Sequence, residues 1–250
     1  GTQTKIPTVT PWWTPLPTRT NTITLTPTPQ PAYLRFLRPG AFSKVLSPLQ
    51  LEAGVTPGED GLVLLELVGE DGRMISQQRL NYSEYLNRSI AIAPKVVFSI
   101  PGVAETARLK LSVKDKYGRT MALSSLDLVL FSIGANDFFP ASEQIAPYLI
   151  RLPFPDQIVT GGILQVRGLV RPVNANPVIF ELLDEQGQVL SSGKLNIGMP
   201  SGVLSHTPFE IDLAYKVPKS TQARLVVRQE SASRIPGTVE LWSVPVLLEP

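Results

Sequence analysis

The chain of 250 residues contains no cysteine and a single histidine. Without cysteine, no disulfide can hold the fold together and no thiol nucleophile is available. The one histidine, His206, cannot supply the three or four ligands of a usual zinc site. As a general base it would need a nucleophile and an acid from elsewhere, and no Gly-x-Ser-x-Gly elbow occurs. We therefore expect His206 to lie in a surface loop, and we expect no catalytic residue, cofactor or metal site.

Long apolar runs and an excess of one charge are also absent. The longest mainly apolar stretches, such as residues 126–133, which include Asp127, are far too short to span a bilayer. The net charge of +2 is accounted for by Lys5 and Arg19, and the remaining residues balance at 21 basic and 21 acidic. The densest basic cluster is interpreted as a strand and turn with a solvated face: Lys110, Lys114, Lys116 and Arg119. This pattern disfavours nucleic acid and anionic membrane surfaces as partners.

Residues 2–31 form a separate segment with eleven threonines, seven prolines and no acidic residue. Each Thr-Pro step disfavours a helical threonine, which predicts an extended, polyproline-like spacer. Thr/Pro-rich stalks commonly hold extracellular domains away from a surface, and their threonines are potential O-glycan acceptors. The paired indoles of Trp12-Trp13 and the run Ile23-Thr24-Leu25 are costly to leave in water. We expect them to anchor this tail against a folded domain.

The rest of the chain repeats itself at an offset of about 115 residues. Residues 67–76 align with 182–191 without a gap. An Ala-Arg-Leu triplet at 107–109 recurs at 223–225. A period this long indicates two tandem domains rather than a solenoid, whose repeats are shorter.

Val-, Leu- and Ile-rich runs separated by Gly, Pro, Asn and Asp clusters predict seven strands in each copy. In the first copy they fall near 33–38, 48–56, 62–69, 73–80, 95–100, 107–115 and 120–131. In the second they fall near 148–153, 163–170, 177–183, 188–194, 208–213, 222–229 and 238–248. The strand count and pattern predict an all-β protein, with two tandem immunoglobulin-like β-sandwich domains preceded by the extended tail. The predicted divisions are tail, sandwich, linker and sandwich: 1–31, 32–134, 135–146 and 147–250.

Alternation within the strands predicts which side chains face the core. In residues 108–114, Leu109, Leu111 and Val113 are expected to face inward and the charged residues to face solvent. Gly72 and Gly187 stand at the same place in the two copies, between apolar runs. They predict equivalent tight hairpins that require a positive φ angle.

Several segments of the second copy carry a resemblance to a known family: Leu152-Pro153-Phe154-Pro155, Ile158-Val159, 164–168, 180–190 and 209–215. They resemble the immunoglobulin-like domain associated with bacterial spore germination proteins, which also occurs in other cell-envelope lipoproteins. The first copy departs from this pattern, with Ala53 where the second has Gly168. It is either a diverged copy or a member of a different immunoglobulin-like family. The resemblance implies a secreted or lipid-tethered bacterial module and carries over no catalytic residues.

The junction between the copies contains two notable pairs. Asn136-Asp137 offers oxygen atoms of the kind that bind calcium, but no denser carboxylate cluster surrounds it in the sequence, so we expect no site. Phe138 and Phe139 are costly to expose, and we expect them to plug the interface between the domains. Plugging of a ligand site is the alternative.

Two functional classes remain, with a standalone hydrolase a distant third. The first is a noncatalytic module of the bacterial cell surface or envelope, tethered by its stalk or a preceding lipid anchor, that binds or spaces a protein or glycan partner. The alternative is an accessory region of a larger envelope enzyme or signalling protein. Both place the chain outside the cytoplasm. Loops, strand edges and aromatic surface such as Tyr215 and Trp242 are the expected contact areas.

Overall fold

A computed structural model describes residue 1 and residues 33–141, 145–202 and 205–250. Over these residues the protein is all-β, as predicted, with eighteen strands and one short 3-10 helix. The predicted Thr/Pro-rich tail lies outside the described residues. The anchoring of Trp12-Trp13 and Ile23-Thr24-Leu25 therefore stays a prediction.

The first half of the protein contains ten strands and the 3-10 helix at Ser83–Tyr85. The strands are β1 (Leu34–Arg38), β2 (Lys44–Leu46), β3 (Leu49–Gln50), β4 (Glu52–Val55), β5 (Leu62–Gly69), β6 (Met74–Asn81), β7 (Ile90–Ile92), β8 (Lys95–Val96), β9 (Ala104–Lys114) and β10 (Thr120–Phe131).

The described residues of the second half form eight strands. They are β11 (Tyr148–Leu152), β12 (Gln157–Val159), β13 (Ile163–Val170), β14 (Val178–Leu183), β15 (Val189–Leu195), β16 (Thr207–Ala214), β17 (Thr221–Glu230) and β18 (Thr238–Leu248). Each predicted strand has a counterpart, but 48–56 is divided into β3 and β4, and 95–100 is reduced to the two residues of β8. Three further strands, β2, β7 and β12, are only three residues long and show too little alternation to be recognised from sequence.

Each half is a two-layer antiparallel sandwich of the immunoglobulin-like kind. One layer is a three-stranded sheet, β1-β4-β7 in the first half and β11-β13-β16 in the second. The other layer is shared: a single sheet runs β15-β14-β17-β18-β10-β9-β5-β6 through both halves. The short strands β2 and β12 join it in parallel beside β10 and β18.

Each half has its own core, built from alternate residues of facing strands. Phe36, Leu65 and Leu109 are almost completely buried in the first core. Phe180 and Leu225 have the same role in the second. The predicted inward positions of β9 are confirmed, because Leu109, Leu111 and Val113 are all at most 1% exposed.

The two hairpins predicted from the repeat are confirmed as equivalent. Gly72 turns the chain between β5 and β6 with φ +82°, and Gly187 turns it between β14 and β15 with φ +77°. The Gly72 N–H donates to the Gly69 carbonyl, and the Gly187 N–H donates to the Asp184 carbonyl, at 3.0 Å in each case. Gly69 and Asp184 also occupy matching positions in the repeat.

We predict that Gly72→Ala and Gly187→Ala each lower the free energy of unfolding by about 1–2 kcal/mol, the cost of left-handed backbone for a residue with a Cβ atom. A Cβ atom at either position meets no atom of the described residues within 4 Å, so no steric clash with them contributes. Urea unfolding measures the change. The control is Gly198→Ala, where space is equally open and φ lies outside the left-handed region. Equal losses for all three variants would contradict the backbone explanation.

Candidate functional site at the junction of the two halves

The two halves meet where β10 pairs antiparallel with β18. Leu123 lies directly opposite Leu241, flanked by the pairs Ala122 with Trp242 and Ser124 with Glu240. Leu123 pairs with Ser112 within the first half, and Leu241 pairs with Arg228 within the second. Because Ser112 and Arg228 occupy matching positions in the repeat, equivalent strands meet at equivalent residues. This is the self-complementary geometry of a two-fold interface. We call this pairing the seam.

On one face of the shared sheet, the seam is covered by a small apolar cluster of Leu123, Leu183, Val226 and Leu241. Leu123 belongs to the first half and the other three to the second, so the cluster buries apolar surface across the seam. Two arginine networks extend from this face.

Arg108 on β9 reaches from the first half into the loop between β17 and β18. Its guanidinium donates to the Asp127 carboxylate at 2.8 and 3.1 Å within its own half. It also donates to the Ile235 carbonyl at 2.8 Å and to the hydroxyls of Ser231 and Ser233 at 2.9 and 2.8 Å in the second half. The Arg108 side chain is only 3% exposed. One buried cation therefore draws its hydrogen-bond acceptors from both halves.

Arg224 on β17 is the repeat equivalent of Arg108 and makes the reciprocal contact. Its Nε donates to the Asp115 carboxylate at 2.9 Å, in the hairpin between β9 and β10 of the first half. Arg119, four residues after Asp115, donates to the same carboxylate oxygen at 2.8 Å. Arg119 also donates to the carbonyls of Asp184 and Gln222 in the second half, both at 2.9 Å. The three charged groups of this network lie across the seam and are nearly inaccessible to water.

Burial and ion pairing shift the pKa values in this network in opposite directions. Burial alone would raise the pKa of Asp115, but the hydrogen bond from Arg119 and the charge of Arg224 outweigh it and lower the pKa below the usual value. Burial lowers the pKa of Arg224, with the Asp115 charge opposing the shift. The carboxylate therefore stays ionised between two guanidinium groups.

Two sequence-based predictions about these arginines are wrong. Arg108 was expected to face solvent, and Arg119 was expected on a solvated turn, yet both are buried. Alternation places Arg108 on the outer face of its sheet correctly, but the second half covers that face. The recurrence of Ala-Arg-Leu at 107–109 and 223–225 was the available signal, because it places an arginine at the same outward position in both copies.

On the opposite side the seam opens into a cavity of about 600 Å³, which we call the junction groove. Its walls and floor come from four strands and their flanks: 33–35, 122–125, 148–151 and 240–242. Arg171, Val173 and Met199 close it from the second half. The volume lies in the range usual for ligand sites. The junction groove exists only because the two halves are docked.

Two ionisable groups meet at the floor of the junction groove. Glu240 is partly exposed, and the burial of its carboxyl group among the lining residues raises its pKa to about 8, with Ser124 opposing the shift. The hydroxyl of Tyr148 is buried without a hydrogen-bond partner among the described residues. Burial, reinforced by the nearby Glu240, raises the pKa of Tyr148 well above its usual value. At pH 7 the carboxyl group is therefore mainly protonated and the phenol is neutral.

The polar residues weighed from sequence lie elsewhere and are engaged locally. His206 is partly buried just before β16, with Nε2 2.8 Å from the Ala146 carbonyl. Asn136 accepts the Leu46 N–H at 2.7 Å. Asp137 pairs with Lys44 at 3.3 Å. Among the described residues no three His, Asp or Glu side chains are grouped as a metal site would require.

The aromatic predictions have mixed outcomes. Phe138 and Phe139 do not plug the interface: Phe138 packs on the first core beneath the Arg38 guanidinium, and Phe139 is 44% exposed. The linker hydrogen-bonds along β2 of the first half, which draws both rings to that side. Tyr215 is not surface either, because it is 7% exposed and donates to the Val159 carbonyl at 2.8 Å. Trp242 lines the junction groove.

No model of a protein family and no curated protein sequence matches the chain. Among solved structures, the fibronectin(III)-like modules of Clostridium thermocellum CbhA align over 87% of this chain and 93% of theirs, at 11% identity and a TM-score of 0.25. Red sea bream transglutaminase aligns over 89% of this chain at 11% identity and a TM-score of 0.31. A Ruminococcus gnavus β-glucuronidase aligns over 78% at 11% identity and a TM-score of 0.26.

The chain spans only 32% of that transglutaminase and 35% of that glucuronidase. At such low TM-scores these similarities add nothing to the fold read directly from the strands. In the part of the chain that the structure describes, no helix has the length and apolar character needed to cross a membrane.

We predict that Arg224→Met lowers the free energy of unfolding by about 3 kcal/mol, because it leaves the buried Asp115 carboxylate with one cation instead of two. Urea unfolding provides the measurement. Arg167→Met is the matched control: Arg167 pairs with Glu210 in an exposed site, where loss of the pair costs about 1 kcal/mol or less. Similar losses for both variants would show that the seam network does not carry the stability assigned to it.

We predict that Glu240 makes the protein less stable as pH rises. Below pH 4.5 the group is protonated in both folded and unfolded chains and has no effect. Between pH 4.5 and about 8 only the unfolded chain releases the proton, so the free energy of unfolding falls as pH rises. Above that range the loss is constant.

The difference between wild type and Glu240→Gln isolates this contribution from all other titrating groups. The stability advantage of the glutamine variant should grow from pH 4.5 to about 8 and then level off. Chemical unfolding at a series of pH values tests this. A difference independent of pH would show that the carboxyl group is as hydrated in the folded protein as in the unfolded chain.

Proposed function

We propose that this chain is a noncatalytic module of the bacterial cell surface or envelope, which presents a protein-binding or glycan-binding surface at a fixed geometry. The observation that carries the proposal is the seam. Arg108 donates to Asp127 of the first half and to Ile235 of the second, and Arg224 donates to Asp115 of the first half and to the Ser243 hydroxyl of the second. A shared sheet and two buried ion networks hold the halves as one body. Such an arrangement suits a spacer or a rigid binding platform better than a flexible string of domains.

The composition of the chain supports a location outside the cytoplasm. Residues 2–31, rich in threonine and proline, match the stalks that hold extracellular domains away from a surface. The resemblance of the second half to the immunoglobulin-like domain of spore germination proteins and envelope lipoproteins points the same way. Tethering through the stalk or a lipid anchor, and the domain limits 32–134 and 147–250, are parts of the proposal.

The junction groove supports a binding role over a purely spacing role. It is formed jointly by the two halves, so its shape is maintained by the same contacts that fix their orientation. Binding sites on this class of fold are carried by loops and exposed strand edges, and the groove offers both.

Surface location is testable because the chain contains no native cysteine. Gln186→Cys places a thiol on the exposed hairpin between β14 and β15. A membrane-impermeant maleimide should label this variant in intact cells of a bacterium that encodes the protein, or after permeabilisation of an outer membrane alone. The unsubstituted protein, which has no thiol, is the control. Labelling only after rupture of the cytoplasmic membrane would overturn the proposed location.

A further inference from the structure

The two walls of the junction groove are strands with an open edge. Among the described residues, β1 pairs only with β4, and β11 pairs only with β13. The carbonyls of Tyr33 and Pro147 are directed to those partners, because they accept from Thr56 and Arg171 at 2.7 and 2.8 Å. Backbone groups alternate in direction along a strand, so the next residues of β1 and β11 direct theirs to the unpaired edge.

Two side-chain donors at the same walls also lack acceptors. The Nε of Arg35 and the hydroxyl of Tyr148 are both buried without a hydrogen-bond partner among the described residues. Buried polar groups are normally hydrogen-bonded, and each exception calls for an explanation such as a missing partner. Both residues line the junction groove. A ligand that brings acceptors, as a peptide backbone does with its carbonyls, would satisfy them.

The charged side chains around the groove are mainly cationic. Arg35, Arg151 and Arg171 line it, and none of them forms an ion pair with a described residue. Arg171 instead donates to the carbonyls of Gly202 and Ser205. The acidic residue on the lining, Glu240, is largely neutral at pH 7 because burial raises its pKa to about 8. The groove therefore favours a negatively charged occupant.

Exposed apolar side chains line the groove together with these arginines. Tyr33, Leu149 and Val173 are each 42% exposed, and Met199 is 56% exposed. An extended peptide directs alternate side chains to opposite sides, so it can present apolar residues to these positions and carboxylates to the arginines.

We propose that the junction groove binds an acidic polypeptide segment of a partner protein in extended conformation, as a strand added between β1 and β11. This inference rests on the proposed function as a binding module and specifies its ligand class. The open strand edges favour a peptide over an anionic glycan, because a glycan offers no backbone that matches the register of a strand.

The test uses the full chain and a synthetic seven-residue probe, acetyl-Thr-Glu-Val-Asp-Val-Glu-Thr-amide, in isothermal titration calorimetry. We expect binding with a Kd on the order of 0.1 mM, as befits a short peptide with few contacts. A matched probe with lysine in place of each acidic residue should bind at least about tenfold weaker. A probe with N-methylated valines, which cannot donate main-chain hydrogen bonds, should bind at least about tenfold weaker as well.

Variants locate the site. Arg151→Gln removes an exposed groove cation and should weaken the acidic probe about fivefold to tenfold, on the scale of one charge-assisted hydrogen bond. Arg35→Gln should have a similar effect, provided that its thermal unfolding matches wild type. The control is Arg79→Gln, an exposed arginine on β6, which is also an open edge strand of the protein. Arg79→Gln should leave the affinity unchanged.

Several results would overturn the proposal. These are equal affinity for acidic and lysine probes, no binding at 1 mM probe, or insensitivity to Arg151→Gln. Binding of an oligogalacturonate but not of the peptide would assign the groove to a glycan. Self-association that Arg151→Gln abolishes would assign the groove to a second copy of the chain. Contacts between the groove and residues 2–32 would assign it to a segment of the chain itself. All of these leave the maleimide test of location untouched, so failure here is distinguishable from failure of the proposed function.

Discussion

Buried guanidinium groups are the constraint on which the arrangement of the two halves depends. Arg108 and Arg224 are each almost fully removed from water, and an arginine cannot shed its proton to escape that cost. Each must therefore be surrounded by acceptors. Part of each set lies in the other half: Ile235 and its neighbouring serines for Arg108, and Asp115 for Arg224. Separating the halves would leave both cations without some of their hydrogen-bond acceptors. Docking of the halves therefore completes the hydrogen bonding of both guanidinium groups.

This docking also resolves a general problem of β-sheets. The seam segments of β10 and β18, at 122–124 and 240–242, would be unpaired sheet edges if the halves were separate. Exposed sheet edges invite pairing with other chains. At the seam they pair with each other through Leu123 and Leu241. In the part of the chain that the structure describes, the outer strands of the shared sheet, β6 and β15, remain as edges. The same docking brings β1 and β11 to opposite walls of one groove. The contact that covers the edges of β10 and β18 therefore also forms a site between the edges of β1 and β11.

Local alternation was enough to predict the strands and most of the core, because inward positions such as Leu109 and Leu111 depend only on the period of a strand. The seam could not be predicted in this way. Whether Arg108 meets water or a second sandwich depends on what lies beyond its own sheet, and no single strand carries that information. The prediction for Phe138 was wrong for a related reason. Its aromatic character predicted burial, but the backbone pairing of the linker with β2 determined that the ring packs on the first core and not between the halves.

The approximate two-fold symmetry of the seam accounts for the chemical character of the groove. At its centre the repeat supplies the same residue twice, Leu123 and Leu241, which lie opposite each other. One step away the copies differ, and Ala122 of the first half corresponds to Glu240 of the second. The backbone symmetry thus preserves the docking, while the differing side chains give one end of the groove an ionisable group that its counterpart lacks. A duplicated sandwich can in this way keep a fixed interface and still present a directional surface, which a strictly symmetric pair could not offer to an extended peptide with distinct ends.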